Sequence, residues 1–317
     1  MTDYKAFDDR YVNVSELHSI RCRQFGNPQG TPAIYLHGGP GLGSFERDLQ
    51  HFDLEKYRVV LFDQRGCGES LPLGELRENT TEHLIQDIQQ ITKELSLGKS
   101  VIVGESWGSA LALLYAERFP HNVNGLVISG TFLARQEDID WLYKPEGAAA
   151  ICPERWEVFT ENLTDSEKQD VITGYERMLN DPELCVNAAA SWNAWPPVDM
   201  DKSPTSLVVK GEQQIWYQAF TEVGFHYWKN SLFLEDDVIL RNLNRISHIP
   251  MEIVHGENDI ICPVYGAVDL AEAHAKSNLE IVQAGHSVGS LVSATDRLYN
   301  QITGERPVPL FDRKPQI

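Results

Sequence analysis

Short, predominantly apolar runs alternate along the chain with longer stretches whose apolar residues recur every three or four places. The runs at 33–37, 58–62, 100–103 and 125–129 would be apolar on both faces of an extended backbone, as in strands of a parallel sheet covered on both sides. Between them, Leu84, Ile85, Ile88, Ile91 and Leu95 keep helical spacing, with Thr80 or Thr81 placed to cap the helix. Leu111, Leu114 and Tyr115 mark another helix, stopped near Pro120. Alternating strand and helix predicts an α/β fold with right-handed crossovers. Residues 11–25 predict a leading antiparallel hairpin.

The rhythm breaks after Gly130. Residues 131–246 read as helical and hold Trp141, Trp156, Trp192, Trp195, Trp216 and Trp228. Strand and helix resume with a strand at 251–254, a helix around 264–274, a strand at 279–283 and a last helix before Gly304. The economical organisation is one α/β domain in two parts, 1–130 and 247–317, split by a helical cap at 131–246. The tryptophans either fill the core of that cap or wall a pocket, and the sequence leaves both open.

Charge narrows the function classes. The 317 residues carry 27 Lys and Arg against 46 Asp and Glu, a formal net charge of −19. Such a chain lacks the basic footprint that nucleic acid or an anionic membrane surface requires. No run of about 18 apolar residues is present to span a bilayer. The five cysteines, Cys22, Cys67, Cys152, Cys185 and Cys262, are widely spaced, with no C-x-x-C pair. Neither a disulfide framework nor a metal cluster is indicated, and the first residues lack the apolar stretch of a secretion signal. The expectation is a cytoplasmic protein without metal or cofactor, acting on a small molecule or short peptide.

The chemistry begins at GESWG (104–108), a G-x-S-x-G pattern between a predicted strand and a predicted helix. In that context a serine projects from a sharp turn at the carboxyl edge of a sheet, with a helix N-terminus behind it to favour developing negative charge. The bare pattern is weak, arising by chance roughly once in ten chains of this length. It recurs at 285–289, but there no histidine follows to serve Ser287, and the order serine, acid, histidine rejects it. Past the strand at 251–254, Asp259 is the preferred acid and Glu257 the second choice. His286, in a glycine-flanked loop after the last strand, is the preferred base over His274, which falls inside an amphipathic helix. Ser106 is then the nucleophile, His286 its base and Asp259 the group that orients the imidazole. The oxyanion hole is assigned to the backbone N–H groups of Trp107 and of Gly39 in HGGPG (37–41).

These segments, with DQRGCG (63–68), NTT (79–81), EDIDW (137–141), WNAW (192–195), His226 and Tyr227, and HGENDIICP (255–263), resemble the prolyl aminopeptidase, or proline iminopeptidase, family of α/β-hydrolase-fold serine peptidases. The resemblance spans nearly the whole chain. It implies a mostly parallel twisted sheet with helices on both faces, an inserted helical cap, and cofactor-free removal of an N-terminal residue, usually proline. It also implies a first-residue pocket lined by Phe132, Tyr143, Trp228 and Cys262, with Trp192 and Trp195 as further substrate-binding residues. The family's two amine-binding glutamates fall at Pro196 and Gly224 here, while Glu105 stands where glycine is expected. Glu105 is thus a candidate replacement anion, or else a hydrogen-bonded support under the elbow; Glu222 and Glu212 are weaker candidates. An esterase, lactonase or amidase on the same fold is the alternative, and a non-catalytic binding protein the more distant one.

Overall fold

The computed structural model describes residues 4–195 and 212–305. β1 (Asp8–Asn13) and β2 (Ser19–Gly26) form the expected hairpin, followed by β3 (Thr31–Leu36), β4 (Tyr57–Phe62), β5 (Ser100–Glu105), β6 (Val123–Ser129), β7 (Met251–Gly256) and β8 (Ser277–Val282). They make one sheet in the order β1-β2-β4-β3-β5-β6-β7-β8, antiparallel across β1, β2 and β4 and parallel elsewhere.

Both faces of the central strands are apolar because both are covered. Ile34, Leu36, Ile102 and Ile128 point to one face, where they pack with α1 (Thr81–Glu94) and α2 (Trp107–Arg118). Ala33, Tyr35, Val101, Val103 and Val127 alternate onto the other, against Ala294 and Leu298 of the final helix. Each buried Val, Leu or Ile among them contributes about 1.5–3 kcal/mol by leaving water. In α2 every residue from Trp107 to Glu117 is buried, which explains why this helix is apolar all round.

Between β6 and β7 the chain runs through α3 (Gln136–Tyr143), α4 (Ala148–Ile151), α5 (Pro153–Thr160), α6 (Val171–Leu179), α7 (Cys185–Ala194), α8 (Glu212–Lys229) and α9 (Val238–Asn242), with no strand among the described residues. α10 (Val264–Ala273) and α11 (Val292–Thr303) complete the fold. The predicted elements are present, with two local differences. Thr80 occupies the cap position of α1 but turns its hydroxyl to His83 Nδ1 at 2.8 Å rather than to the helix backbone. α10 ends at Ala273, so His274 sits just past the helix, fully buried, with Nε2 bonded to the Ile246 carbonyl at 3.1 Å.

The register brings five strand ends together. Leu36 of β3 pairs with Gly104 of β5, Glu105 with Ser129 of β6, and Gly256 of β7 with Val282 of β8. The segments after these carboxyl ends carry the site, which is where an open α/β sheet binds its ligand.

Candidate active site

Ser106 is the single residue between β5 and α2, with φ 57° and ψ −125°. A non-glycine residue there costs on the order of 1–3 kcal/mol and persists only when its surroundings hold it. They do so at three points. The Ser106 N–H donates to the Ser129 carbonyl at 3.0 Å, and its own carbonyl accepts from the Ser109 N–H at 2.8 Å and the Ser109 hydroxyl at 2.6 Å. The flanking glycines serve close packing. A Cβ on Gly104 would collide with the Gly108 carbonyl, and a Cβ on Gly108 with the Leu36 carbonyl of β3.

Asp259 and His286 meet beside this serine. Asp259 is buried, whereas Glu257, the other acid considered, is exposed. Asp259 Oδ1 accepts the backbone N–H groups of Ile261 and Cys262, both at 2.9 Å, and Oδ2 accepts from His286 Nδ1 at 2.9 Å. Nδ1 therefore carries the ring proton and Nε2 keeps its lone pair. A methyl group on Gly130 would lie 3.2 Å from His286 Cε1 and 3.5 Å from the Ser106 nitrogen, so ring and serine flank one point. The Ser106 hydroxyl lies against the Cys262 thiol. His255 backs the acid. Its Nδ1 accepts the Thr131 N–H at 3.1 Å, leaving Nε2–H for the Cys262 carbonyl at 2.8 Å, and burial keeps the ring neutral.

Burial favours the neutral form of His286, but the Asp259 carboxylate, its hydrogen bond and the charge of Glu105 outweigh that and raise the ring above its ordinary value. Among the described residues, Asp259, Cys262 and His286 are the one set of donors near enough to share a metal ion, within 4.8 Å of one another. Burial pushes the Cys262 thiol well above its usual range, and the other two already bond each other. This set suits proton transfer better than metal ligation.

Gly38, Gly39 and Trp107 border the same space. A network from β4 holds the two assigned oxyanion-hole segments in register. Gln64 donates Nε2–H to the His37 carbonyl at 2.9 Å and accepts the Trp107 indole N–H at 3.1 Å. The Gln64 backbone N–H donates to His37 Nε2 at 3.0 Å, while His37 Nδ1 lies 2.9 Å from the Gly38 carbonyl and accepts the Gly43 N–H at 3.2 Å. DQRG thus acts as a set of loop ties: Asp63 accepts the Ser44 N–H at 2.8 Å, and Arg65 grips Asp87 of α1 at 2.6 and 2.7 Å. The sequence carried this motif only as part of a resemblance, because ties between loops 27 positions apart leave no local periodic signal.

A cavity of about 600 Å³ opens over Ser106, within the range of small-ligand sites. Phe132, Tyr143, Trp192, Trp228 and Cys262 line it. Tyr143 stacks on Trp192 with centroids 4.9 Å apart and meets Trp228 edge-on at 5.3 Å. Trp195 does not line it. It is 2 % exposed, stacks on Phe159 at 5.1 Å and donates its indole N–H to the Leu142 carbonyl at 2.9 Å. The tryptophans therefore divide between the two readings, one packing the helices and others walling the pocket.

Gly224 also lines the cavity, and a Cβ there would meet only the Pro40 carbonyl, at 3.0 Å. Pro196 and the Glu212 side chain lie outside the described residues. Glu222 faces a second cavity between α7 and α8 and bonds Gln218 at 2.9 Å.

Glu105 lines the catalytic side of the cavity. Its Oε2 accepts the Tyr35 hydroxyl at 2.6 Å and lies 3.1 Å from His51 Nε2. His51 Nδ1 accepts the Leu291 N–H at 3.2 Å, which directs Nε2–H to Glu105. Burial opposes ionisation of Glu105, yet His51, Tyr35 and His286 together hold its carboxyl below the usual range. Asp48 lines the cavity beside it. Burial pushes Asp48 up to about 6, the Glu105 charge adding to the effect. Tyr35, Asp48 and His51 were not legible as site residues: Asp48 and His51 lie on a short 3-10 helix (Glu46–His51) with no motif of its own.

A family model described as alpha/beta hydrolase fold matches residues 31–290. The chain is 40 % identical to a probable proline iminopeptidase from Leptolyngbya boryana, over 92 % of this chain and 94 % of that one. It is 37 % identical to a proline iminopeptidase from Neisseria gonorrhoeae, over 88 % and 90 %. Among solved structures, a proline iminopeptidase-related protein from Thermus thermophilus shares the fold with a TM-score of 0.57 at 23 % identity, covering 96 % of this chain and 97 % of that one. An esterase from Rhodococcus sp. ECU1013 does so with a TM-score of 0.58 at 19 % identity, covering 93 % and 98 %. From the elbow through the cap to the final histidine loop, the chain belongs to the proline iminopeptidase family of α/β hydrolases.

Proposed function

We propose that this hydrolase removes N-terminal proline, or a similarly small residue, from short peptides through an acyl-enzyme on Ser106. One observation carries the reading: the 2.9 Å His286–Asp259 bond beside a serine held at a strand-to-helix turn, under a wall of aromatic side chains. His286 Nε2 takes the hydroxyl proton as Ser106 Oγ attacks the first carbonyl carbon. The N–H groups of Gly39 and Trp107 receive the oxyanion. His286 then passes its proton to the departing amine, leaving an ester on Ser106. Water attacks that ester, giving its proton to the same nitrogen; as the bond from the acyl carbon to Ser106 Oγ breaks, His286 returns the proton to Oγ and the freed amino acid departs. The flat faces of Phe132, Tyr143 and Trp228 suit a pyrrolidine ring. The named relatives favour a peptidase over an esterase.

The substrate assignment is tested with proline 4-nitroanilide, N-acetylproline 4-nitroanilide and 4-nitrophenyl acetate. The free-amine anilide should be the best substrate by kcat/KM; equal or faster turnover of the acetylated anilide would remove the aminopeptidase reading. The buried thiols Cys22, Cys67 and Cys262 suit a reducing compartment such as the cytoplasm, and the net charge of −19 suits neither nucleic acid nor anionic membranes as partners. No described helix is long and apolar enough to cross a membrane.

The pH profile follows from His286. The base works only when neutral, and its folded value is raised, so protonation persists to higher pH than in a free histidine. The acid limb of kcat/KM is expected above the ordinary value of 6.5. A limb below that value would show that Asp259 and Glu105 do not charge-stabilise the ring.

A further inference from the structure

We infer that Glu105, supported by Asp48, is the counter-charge for the substrate's terminal ammonium, which places amine recognition on the sheet side of the cavity beside the nucleophile. The inference rests on the aminopeptidase reading and adds the residues that would enforce it. An ammonium entering a cavity walled by Phe132, Tyr143, Trp192 and Trp228 loses water and needs an anion. Among the described residues lining that cavity, the carboxylates are Asp48 and Glu105.

Position and preorganisation favour Glu105. The amino nitrogen of an aminoacyl substrate is two bonds from the carbon that Ser106 attacks, so its counter-charge must stand within a few ångströms of the serine. Glu105 precedes Ser106, with its Cα about 3.8 Å from the next one along the chain. Tyr35 and His51 fix Oε2 from β3 and the 3-10 helix (Glu46–His51), two hydrogen bonds on one oxygen that favour the carboxylate form. No donor among the described residues bonds Oε1 at this site. Asp48 Oδ2 is held by the Phe45 N–H at 2.7 Å, and Arg47, with its side chain at the rim, stands 3.9 Å from Oδ1. The remaining neighbour able to carry charge is His286, which must be neutral for Ser106 to attack.

The test is the ratio of kcat/KM for proline 4-nitroanilide to that for cyclopentanecarboxylic acid 4-nitroanilide, which has the same ring and no amine. Fluorophosphonate titration of each variant counts active serines. In Glu105→Gln the ratio should fall by about 30-fold or more, chiefly through KM, and Glu105→Asp should recover part of it. Asp48→Asn should lower the ratio less. A ratio preserved within about 3-fold in Glu105→Gln, or an equal loss on both anilides, overturns the inference while leaving the aminopeptidase reading intact. A wild-type enzyme with no preference for the amine overturns both. If Glu105→Gln does not label, Glu105→Asp and Asp48→Asn decide, and an unchanged ratio in both is a refutation.

Discussion

Ser106→Ala is expected to lower kcat on proline 4-nitroanilide by about 10⁴- to 10⁶-fold, the scale seen when a hydrolase loses the member of a triad that forms the covalent bond. The fold should not notice. The strained φ of 57° is tolerated no worse by alanine than by serine, since both have a Cβ. The bonds that hold the turn use the Ser106 N–H and carbonyl, not its hydroxyl, and both remain. The thermal midpoint should therefore stay close to wild type, within the roughly 0.5 kcal/mol typical of a change that breaks no structural contact. Fluorophosphonate labelling should vanish with the activity. A variant that still labels, or keeps more than about one hundredth of the rate, would move the nucleophile elsewhere. Cys262 would be the first residue to examine, because its thiol lies against the Ser106 hydroxyl.

What could be read in the sequence had a local signature. The strands of the sheet's centre show as unbroken apolar runs because Ile102 faces one layer of helices while Val101 and Val103 face the other. Ser106 shows because a turn with α2 packed against β3 tolerates only glycine at 104 and 108. Asp259 and His286 show by chain order and by their places after β7 and β8. The residues that could not be read act across the fold. Gln64 ties His37 to Trp107, three segments with no common period, and Tyr35 reaches Glu105 over 70 positions. Trp195 illustrates the same limit from the other direction. It shares a four-residue motif with Trp192, yet Trp192 lines the cavity and Trp195 does not. Trp195 is turned to the Leu142 carbonyl and Trp156, whereas Trp192 stacks on Tyr143 of the cavity wall.

Asp259→Asn should cost about 10⁴-fold in kcat, for a reason specific to how this carboxylate is bound. Oδ1 accepts two backbone N–H groups, from Ile261 and Cys262, at 2.9 Å each. An asparagine must satisfy those donors with its carbonyl oxygen, which forces its NH₂ group into the place of Oδ2, facing His286. The His286 Nδ1 then has to accept instead of donate. The ring proton moves to Nε2, the nitrogen that should take the proton from Ser106, so the base is occupied before the reaction starts. The same NH₂ would face the His255 Nε2–H, which now lies 3.5 Å from Oδ2. Two donors would confront one another in a fully buried spot, so some stability is lost as well, on the order of 1–3 kcal/mol. Two further readouts separate tautomer locking from simple unfolding. The rate should recover partly at high pH, where hydroxide can deprotonate the serine without the ring. The acid limb of the profile should also fall toward lower pH, because the imidazolium has lost its nearest anion. A variant with wild-type kcat would mean that Asp259 does not orient His286; one with an unmoved acid limb would mean that the charge raising the ring comes from Glu105 alone.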